Sequence, residues 1–119
     1  MRLTKLFVLI LLTLGAMSLL IACGSDEPQA IKIGMLSPET GPIAQFAPGF
    51  ADAADVALAE INAAYPDFTF ELIVLDSGCD GTQAATAAQS LIDAGVSAIV
   101  GAACSGATLG AIAVAAPAG

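Results

Sequence analysis

Three times after residue 30 a short apolar run gives way to a segment of helical period. That alternation restricts what this chain can fold into more than any other feature in it. Ile31 to Leu36 is mostly apolar and stops at Ser37-Pro38, a strand followed by a turn signal. From about Phe50 to Ala64 the spacing predicts a helix with Phe50, Ala54, Ala57, Ile61 and Ala64 on one face. Asp52, Asp55, Ala59 and Asn62 share the other, and Tyr65-Pro66 ends it. Phe68 to Leu75 alternates and then turns wholly apolar, as a strand entering a covered sheet should. Asp80 is placed to cap a second helix running through Ala84, Ala88 and Leu91 to Gly95, a natural residue just past a helix end. Ser97 to Gly101 is expected as a third strand, short and buried. An alanine-rich helix begins at Ser105, with Pro117 at or just past its end. A βαβαβα series calls for a three-layer α/β fold: a parallel sheet, right-handed crossovers and helices on its faces. Alanine in the helices, and Gly34, Gly101 and Gly110, permit close approach. Three strands make a thin sheet with two unpaired edges, so the segment reads as part of a domain.

The first 22 residues have a different character. A cationic start (Arg2, Lys5) precedes an apolar run from Leu6 to Leu14, then small residues, then Leu20-Ile21-Ala22-Cys23. That is the layout of a secretory signal. The cysteine directly after Ala22 makes it resemble a bacterial lipoprotein signal, in which Cys23 is acylated and becomes the mature N-terminus. The alternative is a plain N-terminal anchor, for which Leu6 to Ala22 is slightly short. On the lipoprotein reading the mature chain is held to the cell membrane by lipid and faces the periplasm or the extracellular space. Residues 23–30 form a polar tether and 31–119 the folded part.

All eleven acidic residues lie in the mature part, against Lys32 alone, a side-chain charge of −10. Nucleic-acid binding needs Lys and Arg to displace counterions from phosphates, and this composition excludes it. Cys79 and Cys104 remain after Cys23 is assigned to lipid. An even remainder outside the membrane argues for a disulfide, the alternative being two free buried thiols. Their spacing does not suit a metal, and the chain has no histidine to complete a site. No cofactor is called for.

In open α/β sheets, ligands bind beyond the carboxyl ends of the strands. Those ends are Ser37 to Phe46, Asp76 to Gly81 and Ala102 to Thr108, and both cysteines fall among them. A bridge would pin two walls of one crevice. Cys104-Ser105-Gly106 opens a helix, where unsatisfied amides carry partial positive charge and suit a carboxylate. Local sequence alone favours the simpler role for Ser105, capping its own helix. Catalysis is poorly supported: the one mature lysine sits inside a strand, and a serine nucleophile lacks a base. Asp76 and Asp80 as an acid/base pair or Ca²⁺ site is weaker than their plain roles at a strand end and a helix cap.

Ile31-Lys32-Ile33-Gly34 with Ser37, Gly41-Pro42 and Ala44-Gln45-Phe46 resembles the start of type I solute-binding proteins. So do Gly78-Cys79-Asp80 and Gly101 to Ser105. The resemblance is to the branched-chain amino acid (leucine/isoleucine/valine) binding proteins of ABC importers, a class that includes receptors for amides and urea. It implies a two-lobed receptor that closes over a small polar solute, an amino acid first of all, and presents it to an ABC permease. Ser105 would then hold the ligand's α-carboxylate through hydroxyl and amide, and Ala103 would supply backbone contact. Phe46 would occupy an aromatic position at the cleft mouth, and Thr108 would lie near the site. The resemblance moves Ser105 from cap to ligand contact. By this reading residues 31–119 are a truncated N-terminal part of lobe 1, and the chain spans roughly the first third of such a receptor. A sensory receptor domain of the same fold and a nonfunctional remnant are the competing readings, and an enzyme is the least supported.

Overall fold

The computed structural model describes residues 30–119; the expected signal, Cys23 and the tether as far as Gln29 lie outside the described residues. Strand β1 is Ile31–Ser37, and a single 3-10 turn, Ala44–Phe46, leads into helix α1, Ala47–Ala64. Then follow β2 (Phe70–Asp76), α2 (Gly81–Asp93), β3 (Ala98–Gly101) and α3 (Ser105–Ala118). All pairings are parallel and the order is β2-β1-β3, with Ile33 level with Leu72 on one side and Ala98 on the other. The α/β sheet expected from the alternation is met.

Successive β1 residues face opposite layers. Gly34 and Leu36 point toward α2 and α3, where Leu36, Ala84, Ala87, Ala88, Leu91, Ala102, Ala107 and Ala111 form the core. The small residues set its spacing. A Cβ at Gly34 would stand 2.7 Å from Leu91 Cδ1, and one at Gly110 would run into the Gly81 carbonyl. Helices α2 and α3 therefore touch backbone to backbone at their starts. Asp80 accepts a 2.8 Å hydrogen bond from the Gln83 amide, the cap its position predicts. Gly95, at φ +75°, takes the left-handed turn just past the end of α2.

On the other face, Ile33, Met35, Leu72 and Val100 meet Ala54, Ala57, Leu58 and Ile61 of α1 across an apolar gap of 190 Å³. This layer differs from expectation in four ways. Helix α1 begins three residues before Phe50, because Pro48 suits a first helical turn and extends it back to Ala47. Asn62 is not simply solvated. Its Oδ1 accepts from the Phe70 amide at 2.8 Å, and its Nδ2 donates to the Phe70 and Leu58 carbonyls at 3.1 and 3.0 Å, which fixes where β2 starts. Strand β2 accordingly begins at Phe70 rather than Phe68. Strand β3 is not buried: Val100 is 58% exposed, since β3 is a sheet edge and α1 lies chiefly against β2. Pro117 falls inside the last turn of α3, one residue before its end.

Candidate functional site

The three strand-end loops named from sequence come together at one end of the sheet, each tied to the next. The Ser77 amide donates to the Ser37 carbonyl at 2.7 Å, continuing the β1–β2 ladder into the loops. Gly41, at φ +89°, lies so close to the Gly78 carbonyl that a side chain there would collide with it. Cys79 and Cys104 form a disulfide with Cα atoms 5.3 Å apart, joining the second loop to the third.

Asp76 is the hub of the first junction. Its Oδ1 accepts from the amides of Gly78 (2.8 Å) and Thr40 (3.1 Å), and its Oδ2 from the Thr40 hydroxyl (2.6 Å) and Gln83 Nε2 (2.9 Å). Desolvation pushes the carboxyl's pKa up. The Thr40 hydroxyl, the Gly78 and Thr40 amides and the Gln83 side chain outweigh it, leaving the group below its ordinary value. Such a latch stabilises the fold above the unfolded pKa of about 3.9 and is lost as pH falls through the lower folded value. Asp76→Asn should therefore lower the melting temperature at neutral pH, with the gap to wild type closing on acidification. A gap independent of pH would show that the carboxylate's charge plays no part. Asp80 is occupied as a helix cap, so the plain roles of both aspartates are the ones the structure displays.

Ser105 is the first residue of α3, not its cap. The cap position belongs to Cys104, whose sulfur is committed to the disulfide, and no side chain closes the helix start. The self-capping role is thus excluded, because the chain turns into the helix one residue earlier than it requires. The first amides of α3 are left without intrahelical partners. They border an open cavity of 540 Å³ lined by Gly101, Ala102, Ala103, Ser105, Thr108 and Leu109. Ala103 and Ser105 are exposed on its wall. The Thr108 hydroxyl is turned to the Ala102 and Cys104 carbonyls at 3.3 and 3.1 Å, so it braces the loop that carries Ala103. Phe46 is not on this wall. It ends the 3-10 turn, 55% exposed.

A smaller apolar cavity of 240 Å³ shares Gly101 and Ala103 with the first and is bounded by Met35, Leu36, Pro38, Phe50 and Val100. Sequence reasoning passed over Phe50 and Leu109 as site residues. Leu109 was recoverable, since it lies four residues after Ser105 and shares its helix face. Phe50 falls on the apolar face of α1 in the sequence pattern, and nothing local marks it as a cavity neighbour.

A parallel α/β sheet with an open cavity at its strands' carboxyl ends and an uncapped helix start beside it defines a binding lobe. Residues 30–119 match the periplasmic binding protein family, and the chain belongs to it. It is 34% identical over 86 residues to the leucine-, isoleucine-, valine-, threonine- and alanine-binding protein of Pseudomonas aeruginosa, covering 71% of this chain and 23% of that one. Among solved structures it resembles the branched-chain amino acid transporter substrate-binding protein of Streptococcus pneumoniae, determined with isoleucine. There the TM-score is 0.69 at 35% identity, over 76% of this chain and 27% of the other. It also resembles a possible leucine/isoleucine/valine-binding protein from Rhodopirellula baltica (TM-score 0.70, 26% identity, 81% and 27% covered). A leucine-binding protein from Thermotoga maritima gives 0.61 at 30% identity, with 71% and 24% covered. The chain spans about a quarter of these relatives' length.

Proposed function

We propose that this chain supplies the N-terminal part of lobe 1 of a solute receptor for an ABC importer, taking a branched-chain or related amino acid. Residues 1–22 direct export, acylated Cys23 holds the protein to the membrane, residues 23–30 are the tether and 31–119 the lobe. The observation that carries the reading is the 540 Å³ cavity beside a helix start whose amides no side chain caps. An α-carboxylate fits there, accepting from the Ser105 hydroxyl and amide, with the Ala103 backbone alongside. Thr108 acts through the loop it braces. Phe46 meets the ligand from the cleft mouth once a second lobe closes the site. A half-open cleft leaves most of a ligand wet, so tight binding belongs to a larger receptor in which this lobe meets its partner. Catalysis has no role in this reading.

The test is calorimetric titration of L-leucine, L-isoleucine and L-valine into the protein encoded by the complete reading frame. Saturable binding of at least one is expected. Ser105→Ala should weaken it about 10- to 100-fold, the range for removing one hydrogen bond to a charged group. No saturable heat with any of the three at millimolar concentration would sink the reading.

A further inference from the structure

At the end of the sheet opposite the cavity, Ile31, Ile61, Tyr65, Phe68 and Phe70 line an apolar groove of 320 Å³. Tyr65 and Phe68 are 55% and 53% exposed, and each ring centroid lies 6.3 Å from that of Phe70. Large aromatic rings left half in water, one with a hydroxyl, have the chemistry of a membrane–water interface. The chain's own connectivity names the surface. Ile31 is both a wall of the groove and the residue at which the tether enters the fold. From Cys23 to Ile31 the chain reaches no more than about 29 Å when fully extended.

We propose that this aromatic groove is a foot by which the lobe rests on the bilayer that holds Cys23. The inference rests on the lipid-anchor reading given above. The tether itself, Ser25-Asp26-Glu27-Pro28-Gln29, is too polar to fill the groove. A second copy is disfavoured by self-repulsion, each mature chain carrying a side-chain charge of −10. The foot need not bind strongly. A short tether holds it at an effective concentration of about 1 mM, so a dissociation constant of that order keeps it seated. Asp67, exposed between Tyr65 and Phe68, limits the contact to the boundary between headgroups and acyl chains.

The chain carries its own probe, since Tyr65 is the only tyrosine and there is no tryptophan. Cys79 and Cys104 pair with each other, which leaves the Cys23 thiol for coupling. The mature protein, beginning at Cys23, is coupled to maleimide lipid in phosphatidylcholine vesicles with or without brominated acyl chains. Expected is a loss of Tyr65 emission with bromolipid, reduced by Phe68→Ser and unchanged by Val56→Ser on the exposed side of α1. Unquenched Tyr65 in the coupled protein overturns the proposal. So does a vesicle-free dimer that Phe68→Ser dissociates, which assigns the groove to a second copy. Coupling imposes the anchor chemically, so a negative result is separable from failure of the lipoprotein reading. That reading is tested by incorporation of an alkynyl fatty acid at Cys23 in cells.

Discussion

Cys79→Ser is expected to lower stability by about 3.5 kcal/mol in denaturant titrations under oxidising conditions. The bond closes a loop of 25 residues in sequence separation, and the chain-entropy relation gives that magnitude for a loop of such length. Its Cα–Cα distance of 5.3 Å is ordinary for a disulfide. The span contains all of α2 and β3, so the bond ties two loops whose other connection runs through the sheet. Reduced wild-type protein should unfold at the same midpoint as the variant, because each has lost only the cross-link. An unchanged midpoint for the variant without reductant would count against the bridge. The same substitution frees Cys104, the cap residue of α3, and so loosens the loop carrying Ala103. Ligand affinity should fall along with stability.

Leu91→Ala should cost about 3 kcal/mol, within the range for truncating a buried leucine. Leu91 is completely buried between α2 and β1 and is, with Leu36, the largest apolar side chain fully enclosed in the core. Its neighbours are mostly alanines and the backbone of Gly34, which cannot collapse into the space it would leave. Complementarity with Gly34 adds a sharper test. Gly34→Ala alone places a methyl 2.7 Å from Leu91 Cδ1, so the leucine must shift and stability should drop. In the double variant that methyl occupies part of the vacated volume. The combined loss should therefore be smaller than the sum of the two single losses. Strict additivity would mean that the two residues do not share this space.

The order of elements was readable because each helix and strand carries its own period and punctuation. Asp80 and Gly95 mark the two ends of α2 through local chemistry, and both perform the roles their positions predict. The cysteine pairing was readable for a similar reason, since few partners existed. What escaped was set by distant neighbours. Asn62 looks solvated on a helical wheel, but the backbone it clamps belongs to a strand eight residues further on. Val100 looks like a core residue, and only the strand order makes it an edge. The hub role of Asp76 depends on Thr40, 36 residues away. At the candidate site, sequence located Ala103, Ser105 and Thr108 in one loop and helix start. That Thr108 turns its hydroxyl inward depends on a backbone path no local pattern encodes.

The uncapped start of α3 has a consequence for the electrical character of the lobe. Helix-end dipoles act only over about a turn, whereas the field of residues 23–119, whose side-chain charge is −10, extends over a Debye length, about 8 Å at physiological ionic strength. On the proposed receptor reading, a solute bearing net negative charge should be repelled on approach and reach the α3 amides only at the last moment. A zwitterion, with no net charge, should cross that barrier freely and lodge its carboxylate alone. Dicarboxylic amino acids should then be turned away most strongly in dilute salt, while neutral ones arrive at a rate that ionic strength hardly changes.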